Sequence, residues 1–337
     1  MADAGDLVIA SSGISIDNDE LLRTRGAFIE EKHLPLCMNT STIRFKAIEG
    51  ISNLGFLKHW LQSREFRVQI TREVTGIAQK NFGPSHLKRL HLRLPPLAEQ
   101  KRIAGILDAA DALRAKRRES LAQLDILLQS TFLDMFGDPV TNPMGWNVLK
   151  FERLGSSRLG KMLDKGKQAG DCQFPYLANF NVQWGRFELQ TLRKMDFTEA
   201  DREEFSLKSG DLLICEGGEV GRTAVWRGEL RDVYFQKALH RVRLDPSRAL
   251  PEYIRFYMWF MAEHGGFSDF TNSATIAHLT GVKLKSLPVP LPSIEIQRHF
   301  AAIVESVDQQ KASQRAHLDE LDSLFASLQS RAFHGDL

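Results

Sequence analysis

The chain has 337 residues, 43% hydrophobic and 26% charged, ordinary values for about two globular domains with cores of their own. A formal net charge of +2 and a pI near 8.4 do not by themselves demand a nucleic-acid partner, so charge has to be judged locally. Cys37, Cys172 and Cys215 are few and far apart, which argues against a disulfide framework and for a cytoplasmic setting; no basic-then-apolar leader opens the sequence, and no run reaches the ~18 apolar residues of a membrane helix.

In chain order, Asp6-Leu7-Val8-Ile9-Ala10 followed by Ser11-Ser12-Gly13 reads as a strand and a tight turn. Pro35 to Asn39 and Thr42 to Phe45 are expected to be two more strands. Leu54 to Gln69 should be one helix, with Leu54, Leu57, Leu61 and Phe66 along its apolar face. Pro95-Pro96 then leads into a helix predicted over Leu97 to Met135 and closed by Gly137-Asp138-Pro139. At 1.5 Å per residue it is a rod of roughly 60 Å. Asn142 to Trp146 is a turn, and short strands are expected at Phe174–Asn179, Val182–Gly185 and Phe187–Leu192. The earlier pattern then returns. Strands are predicted at Asp211–Cys215, Val233–Phe235 and Leu239–Leu244, a helix over Tyr253–His264, and a second proline corner at Pro290 and Pro292.

That return is a duplication. Gln100 matches Gln297 and Phe136 matches Phe333, a shift of 197 both times (297−100, 333−136), and repeats of this kind decide architecture before any local pattern does. Both long helices carry a heptad stripe. Its predicted packing residues include Leu107, Leu121, Leu124 and Leu128 in the first copy and Val304, Val307, Leu318, Leu321 and Phe325 in the second. Both stripes turn polar near the middle, at Arg114 and Arg117 and at Lys311 and Gln314. A duplicated unit implies a pseudo-two-fold arrangement, hence antiparallel packing with Arg114 near Gln314 and Arg117 near Lys311. Like charges there require a carboxylate close by. Gly210 stands 64 positions after Trp146 (210−146), a stretch with no counterpart ahead of Asp6, so the first domain is expected to be the shorter.

No catalytic constellation emerges. Gly217-Gly218-Glu219-Val220-Gly221-Arg222-Thr223 follows a strand, but it lacks P-loop spacing and its glutamate would repel a phosphate. Asn142-Pro143-Met144 lacks the second proline and stacking aromatic of an amino-methyltransferase motif. No histidine pair sits at metal-binding spacing and no cysteine beside a base; His278 reads as an ordinary polar loop residue. Basic and amide side chains at loop ends are more informative, because lysine and arginine neutralise phosphates while arginine, glutamine and asparagine can read base edges. The DNA-binding candidates are Lys161, Lys165, Lys167, Asn179, Gly217, Gly218, Arg222, Gln236 and Lys237. Arg114, Lys116, Arg117 and Arg118 form a basic run on the first long helix, either a solvated heptad or a platform for DNA or an acidic partner.

The two copies LPPLAEQKRIAGIL (Leu94–Leu107) and LPSIEIQRHFAAIV (Leu291–Val304), the run DLLICEGGEVGRTAV (Asp211–Val225) and the linker FGDPVTNPMGW (Phe136–Trp146) together resemble the specificity subunits of type I restriction–modification systems. The resemblance spans nearly the whole chain. It implies an α+β, internally duplicated fold, with mixed α/β target-recognition domains joined by two long antiparallel coiled-coil helices. The corresponding divisions are a partial first recognition domain at 1–94, a first spacer helix at 95–138, a second recognition domain at 139–290 and a second spacer helix at 291–337. It further implies a non-catalytic role: each domain reads half of a bipartite double-stranded DNA target and the helices set the gap between halves. Two methyltransferase subunits and the restriction/translocase subunits would be the partners, holding S-adenosylmethionine, ATP and Mg, with no cofactor, metal or membrane contact in this chain. The other reading of the same residues is a coiled-coil adaptor without DNA specificity.

Overall fold

A computed structural model describes residues 1–17, 19–74, 81–163, 170–270 and 278–337, with Asp269 described by its backbone alone. Strands β1 (Leu7–Ala10), β2 (Gly26–Phe28) and β3 (Thr42–Phe45) precede helices α1 (Leu54–Leu61), α2 (Arg64–Glu73), α3 (Pro84–Leu87) and α4 (Leu97–Phe136). β4 (Asn147–Lys150) and β5 (Gly155–Leu159) flank a 3-10 turn at Phe151–Arg153. Then come β6 (Gln173–Leu177), β7 (Val182–Gln183), β8 (Arg186–Phe187), β9 (Arg193–Asp196) and helix α5 (Glu199–Glu204). β10 (Leu212–Cys215), β11 (Thr223–Val225), β12 (Tyr234–Phe235) and β13 (Leu239–Leu244) lead to α6 (Pro251–Glu263), α7 (Gly281–Ser286), β14 (Pro288–Leu291) and α8 (Ile294–His334).

The chain divides into two compact units, Met1–Ala122 with Ala312–Leu337, and Gln123–Lys311. The helices α4 and α8, 40 and 41 residues long, therefore contribute a part to each unit. In the first unit β1 lies between β2 and β3 in an antiparallel sheet. Leu7 and Ile9 turn into a core shared with Phe56, Leu61, Phe66 and Ile70 of α1 and α2. Ile103 and Leu107 of α4 and Phe325 and Phe333 of α8 complete it. Here the long helices run antiparallel: Arg114 meets Asp322 at 2.5 Å, while Arg102, near the start of α4, reaches the carbonyl of Leu337 at 2.8 Å.

In the second unit the main sheet has the order β11-β10-β13-β5. One face supplies Leu212, Ile214 and Val242 to a core with α6, the end of α4 and the start of α8. Phe132 sits at its centre, stacked on Phe260 at 4.9 Å and edge-on to Phe300 at 5.6 Å. The other face, with Leu213, Cys215 and Leu239, packs on the small sheet β12-β6-β9. Antiparallel helix packing recurs: Lys311 of α8 meets Asp125 of α4 at 2.5 Å, while Phe300 meets Phe136 at 5.3 Å.

The duplication reaches single side chains. Phe136 lies edge-on to Tyr253 at 4.9 Å, and Phe333 lies against Phe56 at 5.2 Å; each residue of the second contact stands 197 positions from its counterpart (333−136, 253−56). Of the predicted packing residues, Leu107, Leu128, Val304, Val307 and Phe325 are buried and Leu121, Leu124, Leu318 and Leu321 half-buried.

Several local expectations are corrected. Pro35 to Asn39 is not a strand; β1 takes its second partner from Gly26–Phe28. The helix expected over Leu54–Gln69 is two helices, because Ser63 breaks it and caps the second, accepting a hydrogen bond from the Phe66 N–H at 3.2 Å. Phe187–Leu192 is a strand only at its first residue, and the following strand is Arg193–Asp196. The helix register is shifted. Arg114 pairs with Asp322 and not with Gln314, and Lys311 pairs with Asp125, eight positions from the expected pairing in each case (322−314, 125−117). The polar layers are compensated by carboxylates, Asp111 and Asp322 for Arg114 and Asp125 and Asp308 for Lys311.

Candidate nucleic-acid interface

All the described candidate DNA-binding residues lie in the second unit. β10 ends at Cys215, and the turn that follows joins it to β11. In that turn Gly218 has φ +82° and Gly221 φ +79°, values that side chains rarely tolerate. Gly217 serves a second purpose: a Cβ there would come within 2.9 Å of the His278 ring, so the imidazole lies directly on the turn. The carbonyl of Glu216 accepts the Leu279 N–H at 2.7 Å, and the Glu216 N–H donates to Ala238 at 2.9 Å. The turn is thereby laced to the segments on both sides of it.

Around it the candidates fall into two groups. In the first, Arg222 donates to the carbonyl of Asn179 at 2.7 Å and pairs with Glu219 at 3.0 Å, and a Cβ on Gly218 would lie 3.4 Å from the Asn179 amide. Glu219 also accepts the indole N–H of Trp184. In the second, Lys161 bridges to Gln236, the Lys237 N–H donates to the Lys161 carbonyl at 2.7 Å, and the Gln236 N–H donates to Leu177 at 3.0 Å. Ala238, with φ +114°, turns the chain back into β13. Segments 160–161, 177–181, 216–222, 236–239 and 278–279 thus meet at one end of the main sheet.

The charges are not equally available. The Lys161 ammonium binds the Asp201 carboxylate at 2.6 Å and the Asp196 carbonyl at 2.7 Å, over the ring of Phe197. Burial alone would raise the Asp201 carboxyl, but the hydrogen bonds from Lys161 and Thr198 outweigh it and hold the group below its usual range. Arg222 is likewise committed to its own turn. Both side chains are tied to the rim's own segments. Lys237 is exposed and makes no side-chain bond or ion pair among the described residues, Gly218 and His278 are exposed, and Gln236 is half-buried. Lys165 and Lys167 lie outside the described residues. On α4, Arg114 and Arg118 are both tied to Asp322, so half of that basic run is neutralised.

Beneath the rim, His240 is fully enclosed and its Nε2 lies 3.0 Å from the carbonyl of Leu279. Burial lowers its pKa, so it stays neutral and can donate that bond. Burial also pushes the Cys215 thiol up to about 11, which leaves it inert beside the turn. The sequence marks His278 only as an ordinary polar loop residue and does not single out Glu216 or His240. Only the glycine run hinted that something packs against it. Among the described residues no cluster of three or more potential metal ligands occurs, and no helix is long and apolar enough to cross a membrane.

A family model described as the type I restriction modification DNA specificity domain matches residues 5–123 and again 143–323. The specificity subunit of the type I restriction enzyme EcoKI from Escherichia coli K12 is 24% identical over 305 residues, 84% of this chain. The match spans 65% of that relative's length. A chain solved in work on complex assembly and conformational transition of the type I R-M system superimposes with a TM-score of 0.61 at 18% identity, covering 99% of this chain and 83% of that one. The S subunit of a type I restriction-modification system from M. genitalium gives a TM-score of 0.55 at 15% identity, covering 99% and 84%. At such identities these likenesses speak for the fold alone, an α+β architecture used twice. The two family segments together span most of the sequence, and the chain belongs to the family of type I restriction modification DNA specificity domains.

Proposed function

We propose that the chain is the sequence-recognising, non-catalytic subunit of a type I restriction–modification complex, and that the loop rim of the second unit reads part of a bipartite double-stranded DNA target. The carrying observation is the convergence of five segments on one end of the main sheet, with Lys237 and His278 exposed and Gly218 bare at the surface. Lys237 neutralises a phosphate, the amides of the glycine turn approach the backbone closely, and Gln236 with His278 addresses base edges. Lys161 and Arg222 hold the loops in register. The first unit, built on the same plan, engages the other part of the target. Two methyltransferase subunits carrying S-adenosylmethionine, and restriction subunits carrying ATP and Mg, assemble on the long helices.

The test is DNA binding by the chain co-purified with its methyltransferase subunits, titrated across salt. Affinity should fall log-linearly with salt, and Lys237→Ala should reduce the slope by about one. An assembled complex that binds no DNA at any salt would leave the adaptor reading in its place.

A further inference from the structure

The chain has 21 Phe, 5 Trp and 4 Tyr, and among the described residues Phe180 alone of them is exposed, at 40%. A single exposed apolar residue is ordinary; its setting is what distinguishes this one. Phe180 is the middle residue of a 3-10 turn, Asn179–Asn181, that joins β6 to β7. The turn belongs to the rim. The neighbouring Asn179 carbonyl binds Arg222 at 2.7 Å, and a Cβ on Gly218 would lie 3.4 Å from the Asn179 amide.

The turn is locked on both sides of the ring. Asn181 is 1% exposed. Its amide oxygen accepts the Ala178 N–H at 3.0 Å, and its nitrogen donates to the carbonyls of Glu188 at 2.8 Å and Thr191 at 3.2 Å. The Phe180 N–H donates to the Asn179 side chain at 3.0 Å, and its carbonyl accepts the Gln183 amide at 2.9 Å. The backbone is therefore held while the ring stands outside. Arg193 opens β9 opposite Tyr176, near the end of β6, and sets its guanidinium over the Phe180 ring, 5.0 Å from the centroid. Arg193 is exposed and makes no side-chain hydrogen bond or ion pair among the described residues. A fixed apolar ring backed by an uncommitted cation suits a nucleobase, whose face stacks on aromatics and whose flanking phosphates attract arginine.

The geometry points to Phe180 as an apolar wedge in the DNA target. Its ring stacks on a base at one step of the half-target read by the second unit and parts that base from its neighbour. Arg193 steadies the ring and faces the adjacent phosphate. The inference rests on the DNA-reading role of the rim and adds a different kind of reading to it. Gln236 and His278 address base edges, whereas the wedge selects a step that unstacks easily. TA and CA/TG steps part most readily, so the wedged step is one of these.

The experiment uses the chain assembled with its methyltransferase subunits, bound at saturation to duplexes carrying the methylated target. 2-Aminopurine, which brightens when unstacked, replaces each adenine of that half in turn. The methylated base is itself turned out of the helix by a methyltransferase, so its position is the internal control and the wedge is read elsewhere. The native complex should brighten one further position, in a TA or CA/TG step. Phe180→Ala should return that position to the level of the free duplex and leave the control bright. It should weaken binding about tenfold or more with the salt slope unchanged, since no charge is lost. Phe180→Trp should keep the second signal, as should Lys237→Ala, which reduces the slope instead. DNA binding with no bright position besides the control, or with the same second signal in Phe180→Ala, would overturn the wedge and leave the DNA-reading role standing. Failure of Phe180→Ala to assemble with the methyltransferase subunits would make the ring a protein contact and overturn it as well. A native complex that binds no DNA at any salt would remove both.

Discussion

Gln100 and Gln297 make the same three hydrogen bonds in the two units. Each is 0% exposed. The Gln100 amide oxygen accepts the Asn53 N–H at 2.9 Å, and its nitrogen donates to the carbonyls of Ile51 and Pro95, both at 2.8 Å. The Gln297 oxygen accepts the Leu250 N–H at 2.9 Å, and its nitrogen donates to Arg248 at 3.1 Å and Pro292 at 3.0 Å. Asn53 and Leu250 are the N-cap residues of α1 and α6. One side chain therefore ties the proline corner, the start of a long helix and the first turn of its neighbour. Truncation removes the glutamine partner of one N–H and two carbonyls at a part-buried site, so Gln297→Ala should cost roughly 1–3 kcal/mol. Gln100→Ala should cost a similar amount, measured by urea unfolding with helix content as the probe. A cost below about 0.5 kcal/mol, as for a surface substitution, would refute the role.

The Arg114–Asp322 pair fixes the helix register in the first unit. The guanidinium also stacks over Phe325, 4.3 Å from the ring centroid, and Asp322 is 41% exposed. Solvent screening keeps the pair's own coupling to about 0.5–1 kcal/mol. Asp322→Arg should destabilise, since it would face Arg114 and Arg118 together. Combining it with Arg114→Glu should recover part of the loss, as a double-mutant cycle measures.

Two buried histidines set a pH dependence. Burial lowers the pKa of His59, despite the Asp108 carboxylate 2.8 Å away, and lowers that of His240. Below the ordinary value of 6.5 the unfolded chain takes up protons that the folded chain does not, so stability falls as pH drops through 6.5 toward the depressed folded values. His240→Gln should remove the second unit's share of that loss in unfolding followed between pH 7.5 and 5.

Arg222 and Lys237 should separate positioning from contact. Arg222→Ala removes a charged donor from both the carbonyl of Asn179 and the Glu219 carboxylate, so it should lower both stability and DNA affinity. Lys237→Ala removes no internal bond among the described residues and should lower affinity alone. Equal melting temperatures for both variants alongside equal affinity losses would contradict the division.

Much of the fold could be read from the residues because the duplication is nearly rigid. One shift of 197 relates Gln100 to Gln297, Phe136 to Phe333 and the edges of β3 to those of β13. The heptad stripe marked buried positions such as Ile103, Leu107, Leu128, Val304, Val307 and Phe325, but Leu121, Leu124, Leu318 and Leu321 on it are half-buried and the buried Phe132 and Phe136 lie off it. It could not supply the register, because a repeat of leucines pairs equally well at several offsets and the choice falls to Asp322 and Asp125, which lie off the stripe. Pro35 to Asn39 is apolar enough for a strand, yet the edge of β1 is taken by Gly26–Phe28. At the rim the sequence marked the glycines and the basic residues but not their state. That Lys161 and Arg222 are spent on Asp201 and Asn179 while Lys237 is open follows from contacts across 35 to 43 positions.

The central claim is that the rim of the second unit reads DNA bases. Mapping adenine methylation across a bacterial genome, by the complex assembled with the native chain and with Gln236→Ala plus His278→Ala, tests it most directly. The account predicts one bipartite target for the native chain, and for the variant degeneracy in one half of that target while the other half and the spacing stay fixed. An unaltered target in the variant, or equal loosening of both halves, would contradict it.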